Sequence, residues 1–194
     1  MESSKSPAGA RIRAVKYKPD WSQIPVEQLR KAQVKFEIDN ETIRKSNPWC
    51  TEEELENWRT SEGTLGNLNP DTYSKIVRVS PKGTEHCPEL RKIVEESKCD
   101  FISFVELPAG TGYPPHRDVH RTCNINFIRP STDGQKVSPL VIGSETFHLD
   151  RFIFDPKPMH YVPALSTERF TMMLTFTKES YESVVQRLEQ NGWL

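Results

Sequence analysis

His116 and Asp118 stand one residue apart in the stretch YPPHRDVHRTCNINF. In extended chain, alternate side chains point to the same side, so an imidazole and a carboxylate can reach one ion together. A third donor, His160, lies 42 residues beyond Asp118, after FDPKPM and at the start of a short extended segment. Nine residues later Arg169 opens the run RFTMMLTF. An isolated HxD is equally well a solvated loop in which Asp118 caps a backbone N–H. The downstream histidine and arginine are what favour a metal.

Two neutral imidazoles and one carboxylate on one side of an ion are the donor set of mononuclear non-heme Fe(II) oxygenases. That set leaves three adjacent positions open, two for a chelating 2-oxo acid and one for dioxygen. A basic group in the same cavity is then needed for the far carboxylate of 2-oxoglutarate. Strand alternation puts Arg169, Thr171, Met173 and Thr175 on one face of RFTMMLTF, and Phe170, Met172, Leu174 and Phe176 on the other. The apolar face should pack against neighbours. The face with an arginine and two hydroxyls should line a polar cavity, where Arg169 can grip a carboxylate with two parallel hydrogen bonds and Thr171 can add one more.

Two other features compete with this constellation. His120 extends the pair to HxDxH, as an alternative ligand, an outer hydrogen-bond donor or simply a polar rim residue. His148 and Asp150, in FHLDRF, repeat the HxD spacing between two strand-like runs, where Asp150 reads as the tip of a hairpin. Tyr113 and Ser103 are placed to line the pocket by position alone.

The elements that must carry these residues divide the chain by texture. Residues 100–177 read as a series of short apolar runs, DFISFVEL, CNINFI, SPLVIG, ETFHL, RFIFD, HYV and RFTMMLTFT, punctuated by Pro, Gly and Asp. With no strand–helix alternation between them, they predict an antiparallel sandwich or barrel. The expected fold is mainly β with flanking helices, a double-stranded β-helix of the jelly-roll, cupin-like kind. Residues 1–99 are polar and read as a mixed or helical region that packs on the barrel and lids it. Within it, helices are expected from Pro25 (Val26, Leu29, Ala32), over TEEELENW from Thr51, and over PELRKIVEES from Pro88. Residues 178–194 place Tyr181, Val184, Val185 and Leu188 at helical spacing, for a last helix on a sheet face. All three parts read as one domain.

Composition narrows the function classes. A net charge of -1 offers no general attraction to nucleic acid or acidic membranes. The basic residues Arg11, Arg13, Lys16 and Lys18 lack interleaved aromatics and read as a solvated face. Four cysteines without a CxxC pair argue against a zinc ribbon or redox motif. The start MESSKSPAGARIR has no apolar signal-peptide core, and no stretch reaches membrane-spanning length, so a reducing cytoplasm is the expectation.

The stretch PPHRD followed by FIFDPKPMHYVPALSTERFTMMLTF resembles the Fe(II)/2-oxoglutarate-dependent dioxygenases, and within them the aspartyl/asparaginyl β-hydroxylase-like group. Phe154, Asp155, His160 and Arg169 match that group's phenylalanine–aspartate, histidine, arginine pattern. The likeness spans roughly residues 100–177, about two fifths of the chain. It implies His116, Asp118 and His160 as iron ligands, Arg169 as the clamp on 2-oxoglutarate, and dioxygen as oxidant. Asp118 implies hydroxylation rather than halogenation, since halogenating relatives carry a small residue there. Where members of the group often carry an arginine, this chain has Asn124 and Asn126, read as contacts near the co-substrate.

The implied activity is hydroxylation of an unactivated C–H, with release of succinate and CO2. The implied partner is a small-molecule or peptidyl amino-acid substrate, with residues 45–70 and the loop RPSTDGQKVSP as lids. Two other readings remain open on the residues. One is a non-catalytic cupin-type metal- or ligand-binding module. The other is a zinc or nickel enzyme that uses the same three ligands.

Overall fold

Strand β11 (Arg169–Phe176) is the centre of the molecule, and its alternation organises everything around it. In the computed structural model, residues 9–37, 73–118, 120–130, 139–163 and 167–194 are described. The expected helix over TEEELENW, the proposed lid at 45–70 and residues 131–138 of the proposed lid loop 129–139 lie outside them.

Antiparallel pairing places β11 between β4 (Phe101–Leu107) and β6 (Cys123–Ile128). Beyond β6 come β9 (Arg151–Phe154) and β1 (Ile12–Ala14), and beyond β4 come β3 (Tyr73–Val79) and β2 (Val34–Glu37). The seven strands run in the order β1-β9-β6-β11-β4-β3-β2. A second, four-stranded sheet has the order β5-β10-β7-β8. It is built from β5 (Tyr113–His116), β10 (His160–Val162), β7 (Leu140–Ile142) and β8 (Glu145–Phe147). Two facing antiparallel sheets whose chain passes back and forth between them form the expected jelly-roll.

The larger sheet has two different faces. Phe170, Met172, Leu174 and Phe176 join Ile102, Phe104, Ile125, Phe127 and Ile153 in one buried cluster. That cluster is covered by helices α2 (Pro88–Ser97) and α3 (Tyr181–Gln190), through Leu90, Ile93, Val184 and Leu188. Each such side chain contributes about 1.5–3 kcal/mol by leaving water. Trp193 closes this face, stacked on Tyr17 with ring centroids 4.1 Å apart and its indole N–H donating to Glu96. Pro25 stands just ahead of α1 (Val26–Ala32), as the spacing predicts.

The opposite face looks across to the small sheet. Leu107, Ile128, Phe152 and Phe154 meet Leu140, Ile142 and Val162 there in a separate, smaller cluster. It fills only part of the space between the sheets, and the remainder is the cavity described below.

Two features differ from the sequence expectations. The first hundred residues, read as mixed or helical, also supply three strands of the larger sheet. Asp150 is not a hairpin tip: β8 belongs to the small sheet and β9 to the large one, so the residues between them connect the two layers. The short gap that suggests a hairpin is instead a crossing from one sheet to the other.

Candidate active site

His116 ends β5 and His160 begins β10, and the two are direct partners in the antiparallel pair. Their ring centroids are 4.2 Å apart. Asp118 follows two residues after β5, where its backbone N–H donates to the Pro156 carbonyl at 3.1 Å. That bond ties the turn after β5 to the segment entering β10. One donor atom from each of His116, Asp118 and His160 lies within 4.8 Å of the others. Ligand bonds of about 2.1 Å would draw the three together by a small closure.

The electrostatics suit a cation. The Nδ1 of His160 sits 2.9 Å from the Pro158 carbonyl, which fixes the proton on Nδ1. The Nε2 lone pair is then free, 4.0 Å from Oδ2 of Asp118. Burial, reinforced by neighbouring His116, pushes the His160 pKa down to about 3, so the ring is the neutral form that a metal needs. Asp118 is held by two donors on the same oxygen: Nη1 of Arg121 at 3.0 Å and Nδ2 of Asn124 at 3.2 Å. Arg121 also reaches Sδ of Met173 at 3.6 Å, so it bridges the turn to β11. Donors of this kind orient a liganding carboxylate.

Arg169 is 4% exposed. Its Nε donates to Oγ1 of Thr171 at 3.1 Å, while its Nη1 is buried without a partner. Among the described residues no carboxylate pairs with it. Burial lowers its pKa to about 10, which still leaves it charged at neutral pH. A buried, uncompensated guanidinium is costly, so this end of the cavity is complementary to an anion. Because Thr171 accepts from Arg169, its own hydroxyl proton is free to be donated into the cavity.

These groups share one cavity of about 130 Å³, lined by His116, Asp118, His160, Arg169, Thr171, Asn124 and Asn126 together with Ser103 and Tyr113. The residues singled out for the constellation thus line one cavity, from both of the sheets that enclose it. Buried oxygens of Ser103, Asn124 and Asn126 have no partner, as expected of a site that offers hydrogen bonds to something else. His120 is exposed and does not line the cavity, and neither do His148 and Asp150. Two cationic lining residues are not among those singled out from the sequence, Arg121 and Arg78. Arg121 was detectable as a cation three residues after a candidate carboxylate ligand. Arg78 was not, because nothing local marks β3 as a neighbour of β4.

No protein-family profile and no curated protein matches the chain. Solved structures do resemble it. A prolyl-4-hydroxylase from Pseudomonas putida superposes with a TM-score of 0.51 at 12% identity, over 88% of this chain and 93% of that one. A prolyl hydroxylase from Trichoplax adhaerens, solved with a peptide fragment of hypoxia inducible factor, gives 0.42 at 14% identity, over 54% of this chain and 63% of its own, just under two thirds of its length. A cupin 2 conserved barrel domain protein from Salinispora arenicola gives 0.35 at 19%, over 65% and 91%. At 12% identity the likeness to the Pseudomonas putida structure is one of fold, a mainly β jelly-roll with flanking helices.

Proposed function

We propose that the chain is an Fe(II)- and 2-oxoglutarate-dependent oxygenase that hydroxylates an unactivated C–H of an amino-acid side chain, free or within a peptide. The observation that carries this is a three-donor cluster and a buried arginine, without a carboxylate partner among the described residues, lining one cavity. A hydrolytic zinc site or a metal-binding module also accounts for the three donors, and the oxygenase reading is favoured because it gives Arg169 and Thr171 a specific anion, the distal carboxylate of 2-oxoglutarate, beside the open donor set. The Phe154, Asp155, His160 and Arg169 pattern also supports the β-hydroxylase-like group within the class.

His116, Asp118 and His160 would hold the iron, which with 2-oxoglutarate and dioxygen supplies the oxidising power for hydroxylation and releases succinate and CO2. The chain's own contribution is positioning. His160 presents a neutral Nε2 because Pro158 holds its other proton. Arg121 and Asn124 hold the Asp118 carboxylate turned towards the two histidines. Arg169 and Thr171 would bind the distal carboxylate of 2-oxoglutarate, and so set the angle at which its other end reaches the metal. Asn124 and Asn126 offer unused carbonyl oxygens nearby. The apolar residues Val105, Leu107 and Val162 line the same cavity and restrict water.

Anaerobic visible absorption tests this. Fe(II) followed by 2-oxoglutarate should give a broad charge-transfer band in the wild-type protein and none in His116→Ala. A folded protein that binds iron but gives no band with 2-oxoglutarate would overturn the assignment in favour of a binding module or another metal.

A further inference from the structure

Arg78 is the cavity's unassigned cation. It lies on β3 and pairs across the sheet with Ser103, which pairs with Met173, which pairs with Asn126. Residues in such a row share a face, so Arg78 belongs to the cavity side, and it lines the cavity at its exposed rim. Its guanidinium lies 4.3 Å from the centre of the Phe101 ring, a stacking contact that holds an otherwise floppy side chain in place. Among the described residues no carboxylate pairs with it.

The cavity's charge balance shows what Arg78 lacks. Among the described residues, Arg78, Arg121 and Arg169 line it against a single carboxylate, Asp118. Arg121 is committed to Asp118, and Arg169 on the proposed function is committed to 2-oxoglutarate. A divalent ion adds two positive charges and the 2-oxoglutarate dianion removes two, so an excess of positive charge remains, and Arg78 is the part of it that faces the mouth. Met173, which touches Arg121 beside the candidate metal ligands, is two strands away from Arg78, about 10 Å at strand spacing. A side chain of arginine's length covers about half of that distance.

We infer that the substrate carries a carboxylate, gripped by Arg78 at the rim, a few bonds from the carbon that faces the metal site. This rests on the proposed function and narrows it: the favoured substrates are free amino acids or other small acids, and peptide positions qualify only where they present a free carboxylate.

The test uses the full chain loaded anaerobically with Fe(II) and 2-oxoglutarate, then exposed to air with three probe sets: the twenty common L-amino acids, their carboxamides, and short peptides with free or amidated C-termini. Succinate release is read alongside the product mass. At least one free carboxylate should stimulate succinate release, its amide should not, and Arg78→Gln should raise the concentration needed about ten- to a hundredfold with partial recovery in Arg78→Lys. The peptide arm separates a C-terminal carboxylate from a free acid. Equal stimulation by acids and amides, no stimulation by either, or no response to Arg78→Gln would each overturn the inference. The charge-transfer band recorded before air is admitted separates the two levels. Loss of the band in the wild-type protein defeats the oxygenase reading, whereas a normal band with any of those three results defeats only the role of Arg78.

Discussion

Arg169 and Asp118 are both charged and both line the cavity, yet their removal should have different consequences. On the proposed function, Arg169→Ala takes away a bidentate grip on the distal carboxylate of 2-oxoglutarate, which lies away from the reacting carbon. The expected result is a rise of about a hundredfold in the 2-oxoglutarate concentration for half-maximal succinate formation, largely overcome by excess. Asp118→Ala would remove a proposed metal ligand, and no excess of 2-oxoglutarate should restore turnover. Equal, unrescued losses in both would refute this division of roles. His160 adds a pH dependence. Its folded pKa of about 3 lies below the unfolded value of about 6.5, so between those limits the unfolded chain binds the extra proton. Its contribution to the stability of the metal-free protein is therefore complete above pH 6.5 and is lost as pH falls towards 3. Urea melts across that range should show a shallower pH slope for His160→Gln than for wild type. At this scale the sequence singled out three donors that the fold brings within 4.8 Å of one another, because HxD and a later histidine need only local spacing. It was silent about Arg78, whose position depends on a strand pairing.

The elements were legible wherever composition and alternation agreed. The runs that became β4, β6, β9 and β11 are apolar or alternate cleanly, and Pro88 opens α2 where expected. β5 was disguised by the two prolines of YPPH, which usually argue against a strand. They are tolerated because β5 is the outer strand of its sheet, with β10 on one side only. β3 was missed because YSKIVRV sits in polar surroundings, and a half-buried strand alternates without standing out. Helix α3 has a local signal that can be tested. Ser180 caps it by accepting from the Ser183 N–H at 3.2 Å, and Ser180→Ala should cost about 1 kcal/mol in a denaturant melt. Leu188→Ala, in the buried interface with the sheet, should cost about 2–5 kcal/mol. A larger loss from the cap than from the core would contradict this account of how the helix is held.

For the whole molecule, the division of the large sheet separates stability from chemistry. One face carries the main apolar cluster under α2 and α3, and the other carries the cavity. Stripping metal with a chelator should therefore leave the far-UV circular dichroism unchanged. Anaerobic Fe(II) with 2-oxoglutarate at about a hundred times its dissociation constant should add about 2.7 kcal/mol, seen as a higher Tm. Arg169→Ala should lose the 2-oxoglutarate part of that rise and keep the iron part. Collapse of secondary structure on chelation would mean that the site is a structural staple. Among the described residues no helix is long and apolar enough to cross a membrane.

The alternation of β11 has a consequence for how this chain can change over time. Arg169, Thr171 and Met173 face the cavity only because Phe170, Met172 and Leu174 face the other way. Deleting a single residue just before the strand and letting it slide by one place would turn the phenylalanine inward and drive the arginine into oil. Point substitutions can therefore explore new cargo at the cavity face freely, whereas small gains or losses of length in this strand are forbidden. Relatives that diverge in every other respect should keep its residue count.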